Sequence, residues 1–405
     1  MPSKKPTVHT QEKIEEVLTR GVEKIYPSKK ALQEILVSKK IRIYQGFDPS
    51  MPNLHLGHLV GILKLKQFQE LGHEVIFLVG DFTGMIGDPT DRLSARKKLT
   101  RKQVLENAKS WKEQTGRFLK FSGKNPAKIM FNSRWQDKIN FKELIEITSN
   151  FTVQRILERN FFQRRIEKKR PIFLHEFLYP VAQAIDCVKM NVDLEVGGSD
   201  QTFNMLAGRR LMKILKGKEK FVLTTKLLVD KEGRKAGKTT GGALFLNTPA
   251  VEMFGGIMAF PDEVIVSAFE LLTTIPLKQV FAYKKELKRK KVNPMDLKKR
   301  LAFEIVKLNY GEKMAREAKE EFERVFKEKR LPKKIPEIKI KEKTLNILDL
   351  LVKTKLVSSK SEAKRLILQK GVKIDGEIQK DWKKKVKTKK GQVLQVGKRK
   401  FVRII

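Results

Sequence analysis

Residues 41–80 carry the clearest pattern of apolar and polar positions in the chain. Ile41, Ile43 and Phe47 have the two-residue spacing of a strand, and the turn DPSMPN that follows contains two prolines. A helix is predicted over residues 54–69, with Asn53 as its N-cap. The sequence therefore predicts a strand, a polar turn and a helix in direct succession.

A second strand is predicted after this helix, because five apolar residues run from Val75 to Val79 between Gly72 and Gly80. Strand, helix and strand at this spacing form a βαβ unit, which places the two strands in a parallel sheet covered by helices. Ligands of such sheets bind at the carboxyl ends of the strands. The turn after Phe47 and the segment FTGMIGDPT both fall at that edge.

The remaining pattern is mainly helical, with short strands between the helices. Phe151, Phe161 and Phe162 are interpreted as core or subunit-contact residues in preference to base-stacking platforms. The other predicted elements are two helices in 11–38 separated by a turn around Tyr26-Pro27-Ser28, a helix over 101–120, a strand Lys128–Phe131, helices in 141–170, a strand VDLEV, a helix beginning at Asp200 and Gln201, and a helical cluster from 249 to 329.

The last 75 residues differ from the rest in pattern and charge. LPKKIPEIKIKEK contains two prolines and alternating lysines, and it is predicted to be a linker. Two short amphipathic helices follow, one capped by Ser359 or Ser361, and then hairpin-like strands. From Leu331 onward there are 23 Lys plus Arg against 7 Asp plus Glu, a balance of 23 − 7 = +16.

Composition limits the function classes. The chain has 405 residues, enough for two or three domains, and 40% hydrophobic residues, enough for a sizeable core. Its formal charge of +41 indicates a polyanionic partner, which charge alone leaves open between RNA, DNA and an anionic membrane. No apolar run approaches the roughly 18 residues that span a bilayer. We expect a soluble cytoplasmic protein, and the single Cys187 cannot form an internal disulfide.

Two histidines form the first candidate site. His55 and His58 are three residues apart in the first turn of a predicted helix, where backbone N–H groups favour negative charge. This arrangement suits a phosphate, although a pair of surface histidines has the same spacing. A zinc site is disfavoured, because neither HExxH nor a nearby cysteine pair accompanies them.

Three further segments carry candidate chemistry. Tyr179, Gln183 and Asp186 share one face of a predicted helix, so they must be satisfied inside the protein or by a ligand. Arg92 and Arg96 follow the Gly-Asp-Pro turn that contains Asp88. Two lysines, Lys235 and Lys238, flank Ala236-Gly237 in a segment with few apolar residues, where mobility is expected.

Taken together, GFDPSMPNLHLGH, IGDPTDR, YPVAQAID, VGGSDQ and KAGKT resemble, in order and rough spacing, the motifs of bacterial-type tyrosyl-tRNA synthetases, a class I family. The tail segment SKSEAKRLILQKGVKIDG resembles a small RNA-binding domain named after ribosomal small-subunit protein S four. The fold implied is α/β: a Rossmann-like parallel-sheet catalytic domain with a helical insertion, then a helical domain and a small α+β RNA-binding domain. The boundaries expected are 1–230 for the catalytic domain, with the insertion and dimer contact at about 115–190, 231–330 for the KAGKT loop and anticodon-side helices, 331–343 for the linker and 344–405 for the RNA-binding domain.

The resemblance also implies roles for individual residues. Tyr44 and Asp186 would bind the phenol of tyrosine, and Gln201 would lie near its carboxylate. Asp88, Tyr179 and Gln183 would hold its ammonium group. Asp48 would line the amino-acid and ribose region, and the ATP site would include Gly46, Gly57, Gly198 and Asp200. The phosphate contacts implied are Ser50, His55, His58, Lys235 and Lys238, with Arg92 and Arg96 as weaker candidates.

The activity implied is activation of L-tyrosine with ATP and transfer of the tyrosyl group to tRNA(Tyr) by a homodimer. Mg²⁺ would accompany ATP, without a protein metal site or a tightly bound cofactor. Two positions depart from the family pattern: KAGKT stands where relatives have KFGKT or KMSKS, and Asp91 stands where glycine is usual.

Three alternatives remain open. One is a nucleotidyltransferase with the same HxGH motif, which would have no use for KAGKT or the basic tail. Another is an RNA-binding protein without catalysis, which would be expected to have lost His58 or a loop lysine. The third is a tryptophanyl enzyme, against which Tyr44 and Asp186 argue because indole offers no hydroxyl.

Overall fold

The computed structural model describes residues 8–90, 98–230, 232, 238–239, 242–326, 335–340, 342–397 and 400–405. The chain divides into two compact units, one comprising Met1–Thr248 and Gly256–Asn309 and the other Pro249–Gly255 and Tyr310–Ile405. Within the described ranges, no helix is long and apolar enough to cross a membrane.

A six-stranded sheet forms the centre of the first unit, in the order β1-β6-β5-β2-β3-β4. Its strands are β1 Val22–Tyr26, β2 Arg42–Phe47, β3 Glu74–Val79, β4 Lys128–Phe131, β5 Leu194–Gly198 and β6 Phe221–Thr225. Strands β2 to β6 are parallel to one another, as the βαβ pattern predicts. The chain order changes direction between β2 and β5, which is where ligands bind in open sheets of this kind.

The edge strand β1 was not predicted. Residues 11–38 were interpreted as two helices, whereas the structure has a helix, the strand β1 and a second helix, and β1 pairs antiparallel with β6. Glu23 and Lys24 on this strand are exposed, so the segment lacks the apolar alternation by which a strand is recognised. The sheet is therefore mixed, with one antiparallel edge.

The helices that precede the tail are α1 Val8–Val17, α2 Lys29–Ser38, α3 Leu56–Glu70, α4 Thr83–Ile86, α5 Arg101–Ala108, α6 Trp111–Thr115, α7 Ser133–Gln136, α8 Phe141–Thr148, α9 Val153–Leu157, α10 Asn160–Glu167, α11 Leu174–Met190, α12 Thr202–Lys216, α13 Ala250–Met258, α14 Ile265–Leu272, α15 Leu277–Lys288, α16 Pro294–Tyr310 and α17 Glu312–Phe326. The predicted helix over 101–120 is two short helices, α5 and α6. Phe161 and Phe162 are buried, which confirms their prediction as core residues.

The segment after residue 230 contains a two-residue ladder between β7 Lys238–Thr239 and β8 Gly242–Ala243. The elements of the tail are α18 Ile347–Lys353, α19 Lys360–Leu368, β9 Glu337–Ile338, β10 Thr344–Asn346, β11 Val372–Ile374, β12 Glu377–Ile378, β13 Lys385–Lys387, β14 Val393–Val396 and β15 Lys400–Ile404. Ser359 caps α19, as predicted, and the hairpin-like strands are present.

The tail has a core of its own, built from residues between Ile347 and Ile404 on both helices and on the strands. Part of the segment predicted as a linker belongs to this tail, because Glu337–Ile338 pairs parallel with β15 at the edge of a five-stranded sheet. Residues 331–334 and 341 of that segment lie outside the described ranges.

Candidate active site

The two histidines of HLGH form a reciprocal cap at the start of α3. Nδ1 of His55 accepts a hydrogen bond from the backbone N–H of His58, and Nδ1 of His58 accepts one from the backbone N–H of His55. Their rings are stacked, with centroids 3.7 Å apart. The predicted cap, Asn53, was therefore wrong. Residue 54 is instead paired on both sides: its N–H donates to Gln114, and its carbonyl accepts from the N–H of Leu246.

This cap determines the chemistry that the histidines present. A neutral imidazole that accepts at Nδ1 carries its proton on Nε2, so Nε2 of each ring is a donor suited to a phosphate oxygen. Position 57 favours glycine, because a Cβ at Gly57 would lie 2.9 Å from Cε1 of His55. The motif therefore builds two parallel donors at a helix N-terminus.

The chain that leaves the KAGKT segment is anchored on this motif. The N–H of Leu56 donates to the carbonyl of Leu244 over 3.0 Å, and His55 forms an antiparallel bridge with Phe245. The ladder that contains the backbone of Lys238 ends one residue before Leu244. The backbone of Lys238 therefore pairs with Ala243, the residue that precedes the contact between Leu244 and the histidine motif.

Asp186 is held at the closed end of the site by three donors. Its Oδ1 accepts from the indole of Trp135 and the amide of Gln136, both at 2.7 Å, and its Oδ2 accepts from Asn132 at 3.1 Å. Burial raises the pKa of Asp186 to about 7, although these three donors oppose the rise. The carboxylate is fixed in position and its ionised form is stabilised by amide and indole groups alone.

Tyr44 on β2 faces the same end of the site. It is 1% exposed, and its hydroxyl makes no hydrogen bond of ordinary geometry to any residue that the structure describes. Burial raises the pKa of this hydroxyl well above its ordinary range, and the nearby carboxylates of Glu195 and Asp186 raise it further. A buried hydroxyl without a partner costs free energy, which a ligand hydroxyl would recover.

Two further carboxylates line the middle of the site. Oδ2 of Asp48 accepts from the hydroxyl of Tyr179 at 2.8 Å, and its Oδ1 accepts from the hydroxyl of Thr83 at 2.6 Å. Oδ2 of Asp88 accepts from Gln201 at 2.7 Å, and its Oδ1 accepts from Thr90. Both side chains are thus oriented before any ligand arrives, which lowers the entropy cost of binding.

Gln183 is joined to a buried ion pair. Its Nε2 donates to Oε1 of Glu195 at 2.8 Å, while Oε2 of Glu195 pairs with the ammonium group of Lys220. Glu195 lies on β5, where it is the direct register partner of Tyr44 on β2. Neither Glu195 nor Lys220 was predicted as part of the site.

A cavity of about 400 Å³ brings the described candidates together. The predicted residues that line it are Tyr44, Gly46, Asp48, Ser50, His55, Gly57, His58, Asp88, Tyr179, Gln183, Asp186, Gly198, Asp200 and Gln201. Arg92, Arg96 and Lys235 lie outside the described residues, as does Asp91, and for Lys238 only the backbone is described. The role of each residue stays a prediction.

Comparison with known proteins decides the family. The family described as tRNA synthetases class I (W and Y) matches residues 37–327, and a tyrosine–tRNA ligase SYY-like C-terminal domain matches residues 327–404. A tyrosine–tRNA ligase of Thermotoga maritima is 42% identical over 396 residues, 98% of each chain. The chain belongs to the tyrosine–tRNA ligases. Its activity is therefore that of a tyrosine–tRNA ligase, with ATP, tyrosine and tRNA(Tyr) as substrates.

Other relatives and solved structures agree with this family. A tyrosine–tRNA ligase of Moorella thermoacetica is 41% identical, covering 96% of this chain and 94% of that one. A truncated mitochondrial tyrosyl-tRNA synthetase of Aspergillus nidulans superposes with a TM-score of 0.64 at 22% identity, covering 78% and 94% of the two chains. A tyrosyl-tRNA synthetase of Archaeoglobus fulgidus, solved with L-tyrosine, gives 0.58 at 22% identity, covering 76% and 99%. The structural matches show the shared fold.

Membership among the tyrosine–tRNA ligases removes the alternatives left open by the sequence. The relatives at 41–42% identity are tyrosine–tRNA ligases, and the match covers nearly the whole of each chain. This excludes a tryptophanyl enzyme and a nucleotidyltransferase outside the synthetases. A catalytically inactive RNA-binding protein is likewise set aside.

Several residues that hold the site in place were missed by sequence reasoning. Asn132, Trp135 and Gln136 fix Asp186 from α7 and the residue before it, and no motif marks that short segment. Arg159 donates to the hydroxyl of Thr90 at 2.7 Å, and its guanidinium lies over the rings of Phe161 and Phe203. Long-range contacts of this kind join residues far apart in the chain and leave no local signal.

Among the described ranges, no group of three or more His, Cys, Asp or Glu side chains is placed to hold a metal ion.

Proposed function

We propose that the cavity makes tyrosyl-adenylate with the phenol of tyrosine at Tyr44 and Asp186 and the phosphates of ATP at His55 and His58. One observation carries this proposal: Asp186 is fixed by three donors beside the unpartnered Tyr44 hydroxyl, while the Nε2 donors lie at the N-terminus of α3. A substrate that ends in a hydroxyl suits the first end, and a polyphosphate suits the second.

The middle of the cavity is proposed to hold the α-amino and α-carboxylate groups. Asp88, Tyr179 and Gln183 would accept from the ammonium group, and the amide of Gln201 would lie near the carboxylate. Asp48 and Asp200 would line the boundary with the ribose, and Gly46 and Gly198 would allow the nucleotide to approach the backbone. The carboxylates of Asp48 and Asp88 are already oriented by Thr83 and Gln201, which supports this division.

The first step needs no general base, because a carboxylate is already nucleophilic. An oxygen of the tyrosine carboxylate forms a bond to the α-phosphorus, the bond from that phosphorus to the pyrophosphate oxygen breaks, and pyrophosphate leaves with the bonding electrons. The protein contributes positioning and charge stabilisation. We assign this stabilisation to Ser50, His55, His58, Lys235 and Lys238, with Arg92 and Arg96 in a weaker role.

In the second step a hydroxyl of the 3′-terminal ribose of tRNA forms a bond to the carbonyl carbon of the adenylate, the bond from that carbon to the phosphate oxygen breaks, and AMP leaves with the bonding electrons while the hydroxyl proton is released to solvent. Mg²⁺ is proposed to enter with ATP, bound by its phosphates, because ATP sites commonly hold this ion through phosphate oxygens and water.

The tail is proposed to bind tRNA as an RNA-binding domain of the S-four type. Its balance of +16 supports phosphate contacts, and its own hydrophobic core makes it a fixed surface for them. We assign catalysis to 1–230, tRNA contacts by the loop and anticodon-side helices to 231–330, and RNA binding to 344–405, with the predicted linker 331–343 contributing the edge strand Glu337–Ile338 to the sheet of that domain.

A homodimer is proposed through the surface formed by α8 to α11. Phe141 and Leu174 there are 78% and 77% exposed, and Ile145 and Phe173 are close to half exposed. Large exposed apolar side chains grouped in one region of the chain are typical of a protein–protein interface. Sedimentation of the protein should show a dimer that the pair of substitutions Phe141→Asp and Leu174→Asp converts to a monomer; a wild-type monomer at micromolar concentration would contradict the proposal.

The exchange of pyrophosphate into ATP tests the site. We expect exchange that depends on tyrosine and not on the other amino acids, and we expect Asp186→Ala to abolish it. Glu106→Ala is the matched control, because Glu106 is an exposed acid on α5 that pairs only loosely with Lys109 at 3.7 Å. Exchange by Asp186→Ala at the rate of the control would remove Asp186 from the site.

A further inference from the structure

Gln183 can present either end of its amide to a substrate, and the two ends have opposite chemistry. The amide oxygen accepts hydrogen bonds, whereas the amide nitrogen only donates them. An ammonium group is itself only a donor, so it needs the oxygen. Recognition of the ammonium group by Gln183 therefore depends on which way the amide faces.

Glu195 determines that orientation in the structure. Nε2 of Gln183 donates to Oε1 of Glu195 at 2.8 Å. A carboxylate accepts hydrogen bonds and cannot donate them, so the nitrogen of Gln183 must face Glu195 and the oxygen must face the other way. Gln183 and Glu195 both line the cavity, so an amide oxygen turned away from Glu195 can reach a ligand bound there.

Lys220 fixes the other carboxylate oxygen of Glu195 in place. The ammonium group of Lys220 pairs with Oε2 of Glu195 and donates to the carbonyl of Met205 at 3.0 Å. Both side chains of the pair are almost fully buried. The backbone of Gly208 packs closely against this ammonium group, since a Cβ added at Gly208 would lie 2.9 Å from Nζ of Lys220. Removing one partner of such a buried pair would destabilise the fold strongly, because the other charge would be left buried without a partner.

We propose that Glu195, held by Lys220, is a positioning residue that fixes the amide of Gln183 with its oxygen toward the substrate ammonium group. This inference rests on the proposed function, in which Gln183 contacts the ammonium group. It adds a residue that acts on the ammonium group through Gln183.

The substitution Glu195→Gln should invert the amide of Gln183. Lys220 would pair with the amide oxygen of the new side chain at position 195, so the new NH₂ group would face Gln183. Gln183 would then turn its own amide oxygen toward position 195 and its NH₂ group toward the ligand. Exchanging both residues, as Glu195→Gln with Gln183→Glu, should restore the arrangement. The new carboxylate at position 183 would accept from the new amide at position 195 and would still offer an oxygen to the ammonium group.

Two competitive inhibitors of tyrosine-dependent exchange separate this effect from a change of pocket shape. Tyramine has the ammonium group and lacks the carboxylate, and 3-(4-hydroxyphenyl)propanoate has the carboxylate and lacks the ammonium group. Glu195→Gln should weaken tyramine about tenfold to a hundredfold and leave the propanoate within about twofold. The exchanged pair should recover most of the tyramine affinity. Glu219→Gln, on an exposed acid that pairs with Arg209, is the matched control.

The outcomes discriminate between this inference and the proposed function. If Gln183→Ala leaves tyramine binding unchanged, the proposed role of Gln183 fails. If Gln183→Ala weakens tyramine while Glu195→Gln does not, the positioning role of Glu195 is wrong and the proposed function stands. Equal weakening of both inhibitors by Glu195→Gln, or no recovery in the exchanged pair, also overturns the inference. Where Glu195→Gln does not fold, Glu195→Asp keeps a carboxylate for Lys220 but withdraws it from Gln183 by one methylene, and it should likewise weaken tyramine more than the propanoate; equal effects on the two inhibitors would overturn the inference.

Discussion

The hydroxyl of Tyr179 donates a hydrogen bond of 2.8 Å to Oδ2 of Asp48, and this contact joins α11 to the end of β2. The other oxygen of Asp48 accepts from Thr83, and a Cβ at Gly80 would lie only 2.2 Å from it. The carboxylate is therefore fixed, and the Tyr179 proton points at it. The oxygen of that hydroxyl keeps its acceptor character, which is the property that a substrate ammonium group requires.

Tyr179→Phe should therefore weaken tyrosine binding more than it slows the chemical step. Removing a hydrogen bond to a charged group costs about 1.5–3 kcal/mol, so KM for tyrosine should rise about tenfold or more while kcat changes by less. Tyrosine-dependent pyrophosphate exchange measures both constants. A loss confined to kcat would show that Tyr179 acts at the reacting carboxylate and not at the ammonium group.

Tyr44→Phe should separate stability from recognition. The Tyr44 hydroxyl makes no hydrogen bond of ordinary geometry in the described part of the chain and lies near the Glu195 carboxylate, so its removal should change the free energy of unfolding by no more than about 1 kcal/mol. KM for tyrosine should nevertheless rise, and the preference for tyrosine over phenylalanine should fall.

Tyr283→Phe is the matched control for this substitution. Tyr283 on α15 is also buried with an unpartnered hydroxyl among the described residues, but it does not line the cavity. The control should show the same small effect on urea unfolding with no effect on exchange. A marked loss of stability in Tyr44→Phe alone would mean that its hydroxyl supports the fold.

Asp186 should make stability depend on pH in a definite direction. Burial raises the pKa of Asp186 from 3.8 to about 7, so between these values the folded chain binds more protons at this site than the unfolded chain does. The free energy of unfolding contributed by this site therefore falls as pH rises from about 4 to 7. Asp186→Asn lacks this dependence.

The comparison of wild type with Asp186→Asn by urea unfolding at pH 4.5 and 7.5 measures the effect. The difference between the two proteins should shift by about 3 kcal/mol in favour of the variant at the higher pH. A difference that is the same at both pH values would show that the three donors to Asp186 fully offset its burial.

The sequence predicted the elements whose signal is local. β3 is an apolar run between two glycines, β2 has the two-residue apolar spacing of a strand, and the face shared by Tyr179, Gln183 and Asp186 follows from helical spacing alone. What it missed depends on distant partners. β1 is recognisable only through its pairing with β6, and His55 became the cap because residue 54 pairs with the distant Leu246. The orientation of each site residue is set by such contacts, so composition and spacing located the site without giving its geometry.

A buried ion pair between α10 and α11 should contribute strongly to stability. Arg165 donates to both oxygens of Glu176 at 2.6 and 2.8 Å, and the backbone N–H of Phe173 donates to the same carboxylate. Burial alone would raise the pKa of Glu176, but Arg165 and the Phe173 N–H outweigh it and lower this pKa below 4.5. The contribution is thus present above about pH 4.5 and is lost as pH falls.

Arg165→Met should lower the free energy of unfolding by about 3–5 kcal/mol at pH 7, because it leaves a buried carboxylate without its cation. Arg155→Met is the matched control on the neighbouring helix, where the pair with Glu158 is exposed and should contribute less than about 1 kcal/mol. Urea unfolding at one fixed protein concentration makes the comparison. Similar midpoints for the two variants would contradict the importance of the buried pair.

The tail should be dispensable for adenylate formation and required for tRNA charging. Its core consists entirely of its own residues, from Ile347 to Ile404, so a chain that ends at residue 330 removes a self-contained set of buried contacts. Pyrophosphate exchange by that chain should stay within a few-fold of wild type, whereas charging of tRNA(Tyr) should fall at least about a hundredfold at physiological salt because phosphate contacts are lost. In the full chain, Lys389→Ala with Lys390→Ala removes two exposed cations outside the core and should raise KM for tRNA and weaken its salt dependence, with exchange unchanged. Equal loss of exchange and charging in the shortened chain would mean that the tail supports the catalytic site, since loss of RNA contacts alone leaves the first step intact.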